Sequence, residues 1–208
     1  MNHTIVDIET LFKQDLDDLW DINKKKDRTF ERGYAIEKKL VSDSILFIGM
    51  NPSYDEEKAL HGGFYIPQEG HYFSKAMRIA KDRKAPFCHH DLFFIRETNQ
   101  NTVLCLRKKY SAFFAQQIDI TKRIISLAKP LMIIIINASA CRIFQEVYSF
   151  EPLKNWNSDL GVDILPQLGN IPVIFSSMLS GQRALDLVSY TTLRWHVGHI
   201  CDKLNIHF

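Results

Sequence analysis

Ser44-Ile45-Leu46-Phe47-Ile48-Gly49-Met50-Asn51-Pro52-Ser53 is the stretch whose reading decides the fold. Apolar residues, several β-branched or aromatic, run straight into a glycine and then a polar residue closed by proline. This pattern predicts a buried strand ending in a sharp, rigid loop. In open α/β sheets ligands collect at the carboxyl ends of strands, which makes that loop the first place to look for chemistry. Asn51 sits there, with an amide that both donates and accepts. Pro52 fixes the chain direction beside it. A strand-to-helix turn with a capping asparagine is the alternative reading of the same residues.

Outward from this strand the pattern alternates. On the N-terminal side, Ile8, Leu11, Phe12, Leu16, Leu19 and Trp20 recur at helical spacing amid many charges, so residues 1–40 are expected to form a helical cover. Lys24-Lys25-Lys26-Asp27-Arg28 within it reads as a solvated turn or a phosphate contact. On the C-terminal side come Asp55-Glu56-Glu57 and then Gly62-Gly63-Phe64-Tyr65-Ile66-Pro67-Gln68-Glu69-Gly70-His71-Tyr72-Phe73. The rings of this loop either stack on a planar ligand or plug a small core of their own. Ser74 to Ala80 is expected to be helical, and Lys75, Arg78, Lys81, Arg83 and Lys84 make the neighbourhood basic.

Cys88-His89-His90-Asp91 leads into Leu92-Phe93-Phe94-Ile95, which reads as a second buried strand. Adjacent residues at a strand entry alternate faces, so these four side chains cannot all converge on one metal ion. Asp91 is better taken as a hydrogen-bonding group. A helix is expected over Lys109 to Ala128, followed by a central strand from Leu131 to Ile136, whose continuous apolarity implies cover on both faces. Ala138-Ser139-Ala140 opens another helix. Tyr148 to Gly169 reads as loop, Ile171-Pro172-Val173-Ile174-Phe175 as a strand placed toward an edge by Pro172, and Ala184 to Asn205 as a final helix. Ser176-Ser177-Met178-Leu179-Ser180-Gly181-Gln182-Arg183 between them is polar, with Leu179 as an exposed apolar tooth. The expectation is an α/β chain, a single domain over 1–208, built as a three-layer α/β/α sandwich around a mainly parallel sheet of four or five strands.

Composition narrows the class. The 208 residues suffice for a substantial core, and a formal net charge of +2 excludes neither a basic face nor a neutral partner. The four cysteines, Cys88, Cys105, Cys141 and Cys201, include no C-x-x-C pair, which is the usage of reduced thiols rather than of a zinc knuckle or iron–sulfur site. Met1-Asn2-His3-Thr4 opens without a secretory pattern, and the most apolar run, Pro130 to Ala138, is too short to span a bilayer. A cytoplasmic protein without a membrane partner is expected. There is no glycine-rich phosphate loop with a lysine.

The order of the pocket segments resembles the uracil-DNA glycosylase superfamily, above all its mismatch-specific thymine/uracil and single-strand-selective branches. Gly49-Met50-Asn51-Pro52-Ser53 is similar to the family's G-[IM]-N-P-G. Gly63-Phe64-Tyr65-Ile66-Pro67 with Gly70-His71-Tyr72-Phe73-Ser74-Lys75 resembles its aromatic loop and G-N-x-F-W-K helix start. Asp91-Leu92-Phe93-Phe94-Ile95-Arg96 stands where the family has T-N-x-x-x-x-R, and Lys129-Pro130 through Ala138-Ser139-Ala140 resembles K-P-x-x-I-x-x-x-G-x-x-A. Phe175-Ser176-Ser177-Met178-Leu179-Ser180 stands at its second motif, H-P-S-P-L-S or N-P-S-G-L-S. The five segments occur in the family's order across residues 44–200.

The resemblance implies a monofunctional DNA glycosylase, a monomer acting on DNA with an extruded base, with no metal or nucleotide cofactor. Asn51 would hold the attacking water. Gly49 and Met50, with Phe64 or Tyr65 stacking and Asp91 reading the base edge, would form the base pocket. Leu179 would be the wedge in the base stack, with Ser53, Lys75, Ser177, Ser180 and Arg183 toward DNA. Two departures bear on this. Phe175 and Ser176 replace the histidine and proline that many members carry, so a weak or inactive relative that binds nucleic acid or a nucleobase is the alternative. Asp91 replaces asparagine, and an ionised Asp91 only accepts, which points to a base with two facing donors rather than uracil.

Overall fold

The computed structural model describes residues 3–54, 56 and 63–205. Met1, Asn2, Asp55, Glu57 and Gly62 of the sequence reading lie outside the described residues. In chain order the elements are β1 (Ile5–Asp7), α1 (Ile8–Asn23), α2 (Arg28–Glu31), β2 (Ala35–Glu37), β3 (Lys39–Val41), β4 (Ile45–Gly49), β5 (Gly63–Tyr65), α3 (Ser74–Asp82), β6 (Phe87–Asp91), α4 (Gln100–Lys109), α5 (Ser111–Ala128), β7 (Met132–Ile135), α6 (Ala138–Val147), β8 (Trp156–Asn157), β9 (Val162–Leu165), a 3-10 turn (Pro166–Leu168), β10 (Ile171–Phe175) and α7 (Leu187–Lys203).

Six strands form the central sheet in the order β6-β4-β7-β10-β9-β8. β6, β4, β7 and β10 run parallel, while β9 and β8 are added antiparallel. The sheet is therefore wider than expected, because the segment read as loop from Tyr148 to Gly169 supplies β8 and β9. Strands this short, two and four residues, leave little periodicity to read. Pro172 does not mark an edge, since β10 lies between β7 and β9. The β7 pairing begins only at Val173, so the proline precedes that ladder and costs it no donor. The second strand also differs from its expected place. β6 is Phe87–Asp91 itself, and Leu92 to Ile95 follow it as buried, non-strand chain.

Strand alternation sorts the core into two layers. Leu46, Ile48, Ile133, Ile135 and Val173 face one side, against α1, α4, α5 and α6. Ile45, Phe47, Met132, Ile134 and Ile174 face the other, against α3 and α7. Ile133, Ile134 and Ile135 are all fully buried, which is what cover on both faces demands of β7. Each such side chain contributes about 1.5–3 kcal/mol by leaving water. The N-terminal cover is helical only in part: α1 is capped by the Asp7 carboxylate, which accepts from Thr10 N at 2.9 Å, but β1, β2 and β3 share the segment. β1 pairs with β3, and β2 pairs with β5 from the aromatic loop. Among the described residues, no helix is long and apolar enough to cross a membrane.

Candidate functional site

The chain leaves β4 for β6 on one side and returns to β7 on the other. A doubly wound sheet opens a crevice at such a reversal, beyond the carboxyl ends of the strands. Gly49, Met50 and Asn51 follow β4 there, Asn137 follows β7, and Asp91 ends β6 in register with Gly49.

The two asparagines have different work. Asn137 is a helix cap, its side-chain oxygen accepting from Ser139 N at 2.8 Å and Ala140 N at 3.2 Å at the start of α6. Asn51 caps no helix. Its Nδ2 donates to the carbonyls of Glu97 at 2.6 Å and Pro52 at 2.9 Å, with Ile95 O further off at 3.4 Å. The same two loops are tied by Glu97 N to Pro52 O at 3.0 Å and by Thr98 Oγ1 to Tyr54 O at 2.6 Å. With the N–H groups spent on backbone carbonyls, Oδ1 is the atom of the amide left to meet a ligand, and it can only accept. Such an atom orients a water without taking its proton.

Asp91 lies beside this loop, 5% exposed. A Cβ on Gly49 would fall 2.1 Å from its Oδ1, so the carboxyl occupies the space that the absence of a side chain at residue 49 provides. His89, two residues earlier on the same face of β6, brings Nε2 to 3.8 Å from Oδ1. Phe73 and Tyr72 cover the imidazole with ring centroids 4.9 and 6.2 Å away, and Tyr65 Oη lies 3.4 Å from its Nδ1. On the other face of β6, His90 pairs with the buried Glu37 and reaches Thr121 Oγ1 at 3.1 Å, while Cys88 Sγ accepts from Val41 N at 3.2 Å. The Cys/His/His/Asp run is thus split between faces, two by two.

Burial, reinforced by the Glu37 charge, holds the Asp91 carboxyl well above the ordinary aspartate value. Burial and the neighbouring His90 press His89 down to about 3, so its ring is neutral at physiological pH. Burial also pushes the Tyr65 phenol up, Asp91 and Glu37 adding to it. The shift favours the protonated form of Asp91, which offers one donor and one acceptor, over the ionised form that only accepts.

Alternation along the aromatic loop sends its two central rings to opposite sides. Phe64 turns toward the core and meets Tyr34 edge-on at 5.8 Å, whereas Tyr65 turns toward His89. Leu179 is not an exposed tooth: it is 2% exposed, buried in the layer that holds Tyr190 and Leu193. Phe175 packs on Phe150 at 5.1 Å and Phe144 at 6.2 Å, so its ring serves the core. Ser180 is buried, Ser177 and Arg183 are exposed, Met50 is buried, and Lys75 lies over the Tyr190 ring at 5.2 Å. Ser53 is exposed in an open hollow of about 540 Å³ shared with Arg32, Tyr54, Glu56, Glu97 and Thr98. The guanidinium groups of Arg32 and Arg96 lie 4.3 and 5.1 Å from the Tyr54 ring centre, the former also paired with Glu97 at 2.8 Å.

Residue reading missed His89 and Glu37 as neighbours of Asp91, and Phe73 as the ring that covers His89. The i, i+2 relation of His89 and Asp91 on a strand was the available signal, but it required placing the strand at Phe87–Asp91. Among the described residues, no group of three or more His, Cys, Asp or Glu side chains is arranged to hold a metal ion. In comparisons of the sequence with known protein families and with curated proteins, nothing matches.

Proposed function

We propose that this chain hydrolyses the N-glycosidic bond of a damaged or deaminated base in DNA, on a fold of the uracil-DNA glycosylase kind. The observation that carries the reading is Asn51: its N–H groups are consumed by the Pro52 and Glu97 carbonyls, and its remaining oxygen stands at the reversal point of the sheet. Base excision needs a nucleotide turned out of the stack, at about a few kcal/mol, and a water held against the sugar carbon. Asn51 Oδ1 orients that water. Because an amide is a poor base, the reaction proceeds by stabilising an electron-deficient sugar and the departing base rather than by activating the water strongly. Asp91 and Tyr65 meet the base, and Ser53, Arg32, Lys75, Ser177 and Arg183 are the groups offered to the DNA backbone, whereas Ser180 is buried away from it. The protein acts as a monomer in this reading, without metal or nucleotide cofactor.

A second reading has its own observation. Leu179 is buried and Phe175 serves the core, so the second motif offers neither a wedge nor an imidazole. This favours a module that binds nucleic acid or a nucleobase without cleaving. Labelled oligonucleotides carrying uracil, thymine opposite guanine, hypoxanthine or xanthine, treated with protein and then alkali, separate the two. Strand cleavage at one base, lost in Asn51→Ala, supports the glycosylase. DNA retention with no cleavage from any substrate supports the binding module.

A further inference from the structure

Asp91 Oδ1 and His89 Nε2 are both buried and both without a hydrogen-bond partner among the described residues. They face each other at 3.8 Å, too far to satisfy one another and close enough for a third heteroatom beside them to bond with both. Two orphaned polar atoms in one buried spot are costly, and such costs collect where a ligand is to be met. Tyr65 O–H, donating to His89 Nδ1 at 3.4 Å, would leave the imidazole proton on Nε2, directed at the carboxyl.

Resting on the glycosylase reading, we propose that Asp91 is the general acid that protonates the departing base, with His89 steadying the carboxylate that results. As the bond between the sugar carbon and the base nitrogen breaks, its electron pair goes to the base. The Asp91 O–H proton passes to a nitrogen or oxygen of that base, which leaves neutral. Water adds its oxygen to the sugar carbon and gives up one proton, and that proton, through solvent, restores the acid. The net change is one water consumed, one base and one abasic sugar formed. This places the leaving-group function on β6, across the sheet from Phe175, whose own ring carries no proton to donate.

The groups that face Asp91 set the direction of its titration. Glu37 on β2 disfavours its negative charge, Tyr65 on β5 and Tyr72 before α3 are neutral phenols, and His89 is a neutral ring. His90, on the opposite face of β6, is paired with Glu37.

The test is single-turnover base release across pH 5 to 10, on whichever oligonucleotide the wild type processes, with Asp91→Asn and the smaller Asp91→Ser. The wild-type rate is expected to fall at high pH as the acid ionises. Both variants should lose about 10²- to 10⁴-fold in rate and lose that high-pH fall. Infrared spectra of the free protein provide a readout independent of turnover: a protonated-carboxyl band at neutral pH, absent in both variants. Base release by Asp91→Asn at the wild-type rate with the same pH profile overturns this proposal alone, as does an ionised Asp91 at neutral pH. No release by wild type from any substrate overturns the glycosylase reading, and this proposal with it.

Discussion

Gly49 shows how much one missing carbon decides. The Asp91 carboxyl lies where a Cβ at residue 49 would be, 2.1 Å from it, so neither can change without the other. Gly49→Ala is expected to cost about 1–3 kcal/mol by forcing the carboxyl aside, measured as a lowered urea midpoint. Asp91→Ala in the same chain should recover much of that loss, because the clash is with the carboxyl; additive losses would contradict the packing described. Gly49 was legible as a turn glycine and Asp91 as a hydrogen-bonding group. Their contact was not, since residues 49 and 91 meet only through the pairing of β4 with β6. The upward shift of the Asp91 carboxyl was equally out of reach, because it follows from burial and from Glu37, which comes from β2, far earlier in the chain.

At the level of the element, the strands that read most clearly were the ones with the longest unbroken apolar runs. β4 and β7 stand where the sequence placed them, and their alternate residues divide between the two helical layers. β6 was displaced by several residues because two histidines and a cysteine look polar on paper, yet Cys88, His89 and His90 are all buried. A strand can bury such residues when each finds a neighbour across the sheet or in an adjoining element. The two asparagines that end β4 and β7 give a prediction at this scale. Asn137→Ala removes a cap and should cost about 1 kcal/mol, read by thermal or urea unfolding, without altering the 51–54 loop. Asn51→Ala removes a tie between loops, so its effect should appear as faster amide exchange around Glu97 to Thr98. Equal, purely global losses from both would contradict their separate roles.

Across the whole molecule, the buried titrating groups oppose each other in their effect on stability. Asp91 holds its proton well above 3.8, so the stability it contributes is present below that pH and is lost as pH rises toward its elevated value. His89 is held near 3 instead of 6.5, so the unfolded chain gains a proton that the folded one cannot, and stability falls as pH drops below 6.5. Asp91→Asn should therefore raise the urea midpoint more at pH 8 than at pH 4; an equal shift at both would show that its carboxyl is not held neutral. The layered α/β organisation was legible from alternating strands and helices, whereas the sixfold width of the sheet was not, because β8 and β9 are too short to leave a pattern. Those short strands have a further consequence. A sheet that ends in a long bare strand invites a neighbouring chain to continue it by backbone pairing, the first step of aggregation. Here the last strand is only Trp156–Asn157, and at the opposite end β6 has β2 and β3 packed against it. The sheet thus finishes at one end in a strand too brief to template a second copy and at the other in a five-residue strand shielded by β2 and β3.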